Sequence, residues 1–328
     1  MVFIEFIGLL KMNKKSFSFN LVYYVLGLSL FLISCHGNSV NNETPISGSI
    51  IIAVDETYKP ILENELMVFS DIYPNAHVKI LYMPYASLFQ ALKQDSIRLI
   101  FSGYDLDSNQ LNEIEKEIHF PLKKTKLGFD AVAFITHPSN TNLTLTQTDI
   151  IDLLTGKKKD WKDINKERTG KLNIVFDNKN SSTTKYLLDS ILINQTLDTN
   201  CFAVNTNEEV IHYVSKNPNS IGVIGVSWIS NINDSAVQYF RNEIIPVRIK
   251  LDENSKAVAP YQAYIAEGSY AYGRSLIAYI KEAGPGLGHG FVNFVGGEKG
   301  QRIILKSGIV PSTMPIRNLR IRNKIKKY

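Results

Sequence analysis

Gly48-Ser49-Ile50-Ile51-Ile52-Ala53-Val54 is a short apolar run rich in β-branched residues, and it predicts a strand. Pro60-Ile61-Leu62 through Phe69 follow with apolar positions at helical spacing. Val78-Lys79-Ile80-Leu81-Tyr82 predicts a second strand, residues 87–93 a helix, and Ile97-Arg98-Leu99-Ile100-Phe101 a third strand. Strand, helix, strand, helix, strand is the pattern of a parallel α/β sheet covered on its faces.

The alternation continues toward the C-terminus. Strands are expected at 131–136, 172–176, 221–226 and 247–251, and helices at 147–154, from Ser182 through Leu188, at 208–215, at 275–281 and at 291–305. The chain has 328 residues, 44% of them hydrophobic and 20% charged, the composition of a folded protein long enough for two lobes. No fixed-period repeat and no long low-complexity stretch interrupts it.

The formal charge of +5 is concentrated in the tail, where Arg317, Arg320, Arg322, Lys324, Lys326 and Lys327 occur without an acid. Without those six charges the rest is near −1, so the body is no polybasic nucleic-acid binder. At the other end Lys11, Lys14 and Lys15 precede an apolar run over 21–33, the pattern of an export signal and short for a spanning helix. Met12, just before the lysine pair, is an alternative start. Leu32-Ile33-Ser34-Cys35 resembles a bacterial lipobox, which implies a lipidated Cys35 and an extracytoplasmic, membrane-anchored body. The polar stretch 36–45 reads as a tether. Cys201 is then unpaired and reads as a buried, inert thiol.

In open parallel sheets ligands bind beyond the carboxyl ends of strands. The loops to inspect are Asp55-Glu56-Thr57-Tyr58, Ser102-Gly103-Tyr104-Asp105, and Asp177-Asn178-Lys179-Asn180-Ser181-Ser182-Thr183-Thr184. An N-cap accounts for one hydroxyl of the last loop; four consecutive hydroxyls exceed what one cap requires and can serve one compact anion.

Asn180-Ser181-Ser182-Thr183 resembles the Ser-Gly-Thr anion loop of the phosphate-binding proteins of ABC importers. Ile221-Gly222-Val223-Ile224-Gly225 is similar to that family's Gly-Tyr segment, and Ser269-Tyr270-Ala271-Tyr272-Gly273-Arg274-Ser275-Leu276 to its Tyr-Pro-Leu-x-Arg-x-Leu stretch. Gly300-Gln301, Lys306-Ser307-Gly308 and Val310-Pro311 resemble its C-terminal helix and closing strand. The resemblance implies a periplasmic-binding-protein-like α/β fold: two lobes of mainly parallel sheets, joined by a hinge and closing on an oxyanion. It divides the chain into a signal (1–34), a tether (35–47), a first lobe (48–127 with 269–328) and a second (128–268). The implied ligand set is Thr57, Tyr58, Ser87, Ser102 or Tyr104, Asp177, Asn180, Ser181, Ser182 and Thr183. The implied ligand is an inorganic oxyanion, phosphate favoured. The implied partner is an ABC permease, served by a monomer without cofactor.

The departures are specific. Aligned on Ser181-Ser182-Thr183, Asp177 stands where many phosphate binders carry the arginine that pairs the anion, and Tyr104 where a Ser-Arg pair is common. Lys179 or Lys185 could replace the missing guanidinium as a point charge. Asp177 could accept the proton of a monoprotonated oxyanion, which distinguishes phosphate from sulfate.

Catalytic readings find little. The six histidines show no i,i+4 pair and no Cys partner of the kind a metal needs. There is no Gly-x-Ser-x-Gly elbow and no Walker loop. Gly284-Pro285-Gly286-Leu287-Gly288-His289-Gly290 reads as a turn, because it follows the helix expected at 275–281 rather than a strand and His289 stands at the third glycine position. Trp161 and Trp228 read as packing residues. The alternative to a transport receptor is an interaction or sensor module of the same fold that signals to a membrane partner, which the absence of the usual arginine favours.

Overall fold

The computed structural model describes residues 43–314. The export signal, Cys35, most of the tether and the basic tail from Arg317 lie outside the described residues. Twelve strands occur in the described chain: β1 (Gly48–Asp55), β2 (Ala76–Met83), β3 (Ile97–Ser102), β4 (Lys123–Thr136), β5 (Thr144–Thr146), β6 (Asn173–Phe176), β7 (Cys201–Ala203), β8 (Ser220–Gly225), β9 (Ile245–Pro246), β10 (Arg248–Lys250), β11 (Gly273–Ile280) and β12 (Val310–Pro311). The main path runs β2-β1-β3-β11-β4-β8-β6-β7, with β9 and β12 also paired to β4, and β5 pairs β10 apart from it.

The two outer parts of this path are parallel: β1 with β2 and β3, and β6 with β7 and β8. Between them β11 and β4 run antiparallel to their neighbours. One half of β4 pairs β11 over Lys123–Ala131, and the other half pairs β8 over Val132–Thr136, so a single strand belongs to both halves of the molecule.

The sheet around β1 is buried on both faces, as the apolar runs predict. Ile50, Ile52 and Val54 face one core with Leu99, Phe101, Leu276, Ala278 and Ile280, covered by the helices Lys59–Ile72, Leu287–Gly296 and Glu298–Lys306. Ala53, Ile100, Ile277 and Tyr279 face the other, with Leu88 of the helix Tyr85–Ala91 and Leu92 at its C-terminal end. A separate core gathers Val132 and Phe134 of β4, Val175 of β6, Val223 of β8 and the fully buried Trp161. At about 25 cal/mol per Å² of apolar area, such two-faced burial is the main stabilising term.

Several expectations are corrected. Residues 275–281, read as a helix, are strand β11: inserted between β3 and β4, it is apolar on both faces and has no period-2 alternation to show. The strand expected at 131–136 begins eight residues earlier, at Lys123, where exposed lysines mask it. The helix expected at 291–305 is two helices meeting at Gly297. Glu43, inside the expected tether, is bound: its carboxylate accepts from Arg98 Nη2 at 2.9 and 2.7 Å and from the backbone N–H of Leu287 at 2.9 Å. Cys201 is half-buried, and burial pushes its thiol up to about 12.

Candidate functional site

Strand geometry brings four loops together. β1 ends at Asp55 and turns through Glu56–Tyr58, β3 ends at Ser102, β6 leads to Asp177, and β8 ends at Gly225. Because β11 is antiparallel, its start rather than its end lies among them, and Arg274 pairs in register with Asp130 of β4.

Arg274 is the residue that joins these loops, and its side chain is 2% exposed. Nη1 donates to Ser182 Oγ at 3.0 Å and to Thr183 Oγ1 at 3.2 Å, while Nη2 donates to Asp130 Oδ2 at 3.3 Å. Its guanidinium carbon stands 5.6 Å from the centre of the Tyr58 ring. Burial works against its charge, but Tyr58 and the carboxylates of Asp130, Asp55 and Asp177 around it hold its pKa above the ordinary value.

The three hydroxyls of the Ser181-Ser182-Thr183 motif divide their work. Ser181 is the N-cap of the helix Ser182–Tyr186: its Oγ accepts from Thr184 N–H at 3.1 Å and donates to Asp177 Oδ1 at 2.7 Å. Ser182 and Thr183, both fully buried, accept from Arg274 and so keep their O–H groups to donate elsewhere. Arg274 Nε and Thr57 Oγ1 are buried polar groups without a partner, as is the acceptor Asp130 Oδ1. Donor capacity therefore converges from the guanidinium and three hydroxyls.

The first-half loops are fixed from several directions. Asp55 accepts from Thr57 N–H at 3.2 Å and Gly103 N–H at 3.3 Å, which ties the β1 and β3 turns together. Tyr58, fully buried, donates to Ser275 O at 3.3 Å, and Thr57 O accepts from Ser227 Oγ at 2.8 Å. Gly103 is a close approach: a Cβ there would stand 2.8 Å from Ser182 Oγ and 3.0 Å from Tyr58 Oη.

Acids line the same region. Asn207 Nδ2 donates to Glu56 Oε2 at 2.5 Å and to Asp177 Oδ2 at 3.2 Å, and its Oδ1 accepts from Gly225 N–H at 3.0 Å. Burial pushes Glu56 up to about 7, helped by Asp177 and Asp55, and Asp177 up to about 6, helped by Asp55. Asp130 is also raised by burial, against the opposing pull of Arg274.

Thr57, Tyr58, Asp177, Ser181, Ser182 and Thr183 are thus brought together around Arg274. Ser102 is buried but spent on its own turn, its Oγ accepting from Tyr104 N–H at 3.0 Å. Tyr104 reaches outward instead, donating to Asp189 Oδ2 at 2.6 Å. Ser87 is exposed on its helix, and Asn180 is exposed with its carbonyl accepting from Ala86 N–H at 3.2 Å. Lys185, offered as a stand-in cation, pairs Asp189 at 2.7 Å and covers the Tyr104 ring, and Lys179 is exposed. The residues that sequence reasoning missed are Arg274, Asp130 and Asn207. Arg274 lay inside a quoted motif, but the helical reading of 275–281 hid its register with Asp130.

The family model described as a PBP superfamily domain matches residues 39–299. The chain belongs to the PBP superfamily. Its two parallel sheet halves, connected through β4 and β11, are the form that fold takes here. Among curated proteins, this PBP-superfamily chain is 25% identical over 263 residues to the phosphate-binding protein PstS of Staphylococcus epidermidis, covering 79% of this chain and 77% of that protein. It is 24% identical over 262 residues to PstS of Borreliella burgdorferi, covering 76% and 87% respectively. Among solved structures it resembles a putative phosphate ABC transporter substrate-binding protein with bound phosphate from Clostridium perfringens, with a TM-score of 0.68, 21% identity and coverage of 81% of this chain and 100% of that one. An ABC-type phosphate transport receptor from Vibrio cholerae matches with a TM-score of 0.59 and 16% identity, covering 80% and 100%.

Proposed function

We propose that this protein is an extracytoplasmic receptor that captures a phosphate-type oxyanion between its two lobes and delivers it to an ABC importer. The observation that carries this reading is the buried Arg274 guanidinium held by Ser182 and Thr183, with unpartnered donors at Arg274 Nε and Thr57 Oγ1 beside it. The names of the curated relatives support the choice of phosphate. A guanidinium and several hydroxyls in a dry site stabilise an anion more strongly than the same groups in water. Arg274 supplies the cation that the usual position, occupied by Asp177, does not.

The binding residues in this reading are Thr57, Tyr58, Ser182, Thr183 and Arg274, with Ser181 and Asp177 shaping the loop. Asp177 is already committed to Asn178 N–H, Ser181 Oγ and Asn207 Nδ2. The acceptor for a phosphate proton is instead Asp130 Oδ1, buried and unpartnered. Sulfate carries no such proton, so its oxygen would face the lone pairs of Asp130 Oδ1 with no hydrogen between them. Lipidation at Cys35 would hold the body at a membrane surface; among the described residues no helix is long and apolar enough to cross a membrane.

Calorimetric titration of the full chain with phosphate, sulfate, molybdate and tungstate at two pH values tests the reading. Phosphate binds and sulfate is rejected in this account, and Ser182→Ala lowers phosphate affinity. No binding by any of the four oxyanions overturns the transport-receptor reading and favours the sensor module.

A further inference from the structure

A cavity of about 240 Å³ opens beside the oxyanion cluster, lined by Asp177 and Ser181 of the hydroxyl loop and by Asp55 of the loop that carries Thr57. At roughly 30 Å³ per water, it has room for far more than a lone tetrahedral ion. Its walls are acidic: Asp55, Glu56 and Asp177 lie within, and the exposed Glu208 stands at the rim. The one basic side chain lining it is Lys59, which leans over the Tyr82 ring at 5.9 Å.

This lining is wrong for an inorganic anion alone. Asp130 already balances Arg274, and Lys59 alone faces the remaining carboxylates, so a dianion in the cavity meets more negative than positive charge. They suit a ligand that carries its own positive charge. Metal coordination does not answer the need, since among the described residues no three His, Cys, Asp or Glu are disposed to hold a metal ion. Two further observations point to an organic group. Trp228 walls the cavity, is 4% exposed, and its indole N–H has no acceptor. Tyr82 also lines the cavity, and its Oη is buried without a partner. Aromatic faces among carboxylates are the usual surroundings of a desolvated ammonium, and an indole N–H calls for an acceptor such as an ester oxygen.

We infer that the cleft takes a small zwitterionic phosphomonoester, with its phosphate on Arg274, Ser182 and Thr183 and its ammonium in the acidic cavity. The inference rests on the reading of the Arg274 cluster as a phosphate-type site. Inorganic phosphate is then the minimal ligand, bound more weakly than the aminoalkyl ester.

Calorimetry of the full chain with inorganic phosphate, ethyl phosphate, phosphoethanolamine and ethanolamine tests it. Phosphoethanolamine binds at least ten-fold tighter than ethyl phosphate, and ethanolamine alone does not compete with phosphate. Glu208→Gln narrows that gap at least three-fold and leaves ethyl phosphate unchanged. Equal affinity for the two esters, or tighter binding of ethyl phosphate, overturns the inference while the phosphate reading stands. Binding of none of the phosphates overturns both.

Discussion

Arg274 Nη1 and Ser182 Oγ meet at 3.0 Å across 92 residues of chain, one at the start of a central strand and the other in the first turn of a helix. This contact joins the two halves of the molecule at the place where the donor groups collect. Removing the guanidinium should act on binding and on folding. Arg274→Lys keeps a charge but loses the fork, and phosphate affinity falls at least ten-fold by calorimetry, about 1.4 kcal/mol. Arg274→Gln also leaves Asp130 buried without its counter-ion, a loss of about 3–5 kcal/mol of stability that a denaturant titration reads.

Gly103 separates Tyr58 from Ser182, and a methyl group there stands too close to both. Gly103→Ala is expected to hold the loops apart while both cores stay intact. Phosphate affinity falls by ten-fold or more, and the melting temperature changes by only a few degrees. A variant with unchanged affinity would place the anion away from this junction.

At the outer edge Tyr104 donates to Asp189 Oδ2 at 2.6 Å, and Lys185 reaches the same oxygen at 2.7 Å. The contact runs from the loop after β3 in one half to the helical turn Leu187–Ile191 in the other, and so ties the two halves at their outer edge. Losing a hydrogen bond to a charged group costs about 1.5–3 kcal/mol at most, less where water competes. Tyr104→Phe is therefore expected to raise the phosphate dissociation rate about three- to ten-fold in stopped flow, with little effect on association.

The alternation of strands and helices was legible because the strands of the first sheet carry short β-branched apolar stretches, uninterrupted from Ile50 to Val54 and broken only by single polar residues in β2 and β3. Ile52 to Val54 and Leu99 to Phe101 are buried on both faces, and turn residues bound the strands. The same property concealed β11, since Leu276 to Ile280 has no polar face to mark its period. The hydroxyl loop was legible as a motif, because consecutive Ser and Thr residues exceed the needs of a cap. Its partner was not, since the link between Arg274 and Ser182 is a product of strand order. Asn207 stands just ahead of the helix expected at 208–215, and only the fold sets it between Glu56 and Asp177.

Glu65 predicts a pH effect separate from binding. It is fully buried on the helix Lys59–Ile72, neither carboxylate oxygen has a partner, and burial pushes it up to about 9. In the unfolded chain a glutamate ionises near pH 4.3, so from there to about pH 9 the folded protein holds a proton that the unfolded chain has released. Stability then falls as pH rises through this window and levels off above it. Glu56 adds the same sign with a window closing near 7. Thermal melts should give a lower melting temperature at pH 9 than at pH 5, and Glu65→Gln should flatten that slope and raise the melting temperature at pH 8. A slope unchanged in Glu65→Gln would contradict the assignment.

The central claim is that the anion sits on the Arg274 junction. A crystal structure of the protein grown with phosphate tests it most directly. The account predicts phosphate within about 2.7–3.2 Å of Ser182 Oγ, Thr183 Oγ1 and an Arg274 nitrogen, with Asp130 Oδ1 accepting its proton. Phosphate bound only at surface lysines, or a junction holding no anion at saturating phosphate, would contradict it.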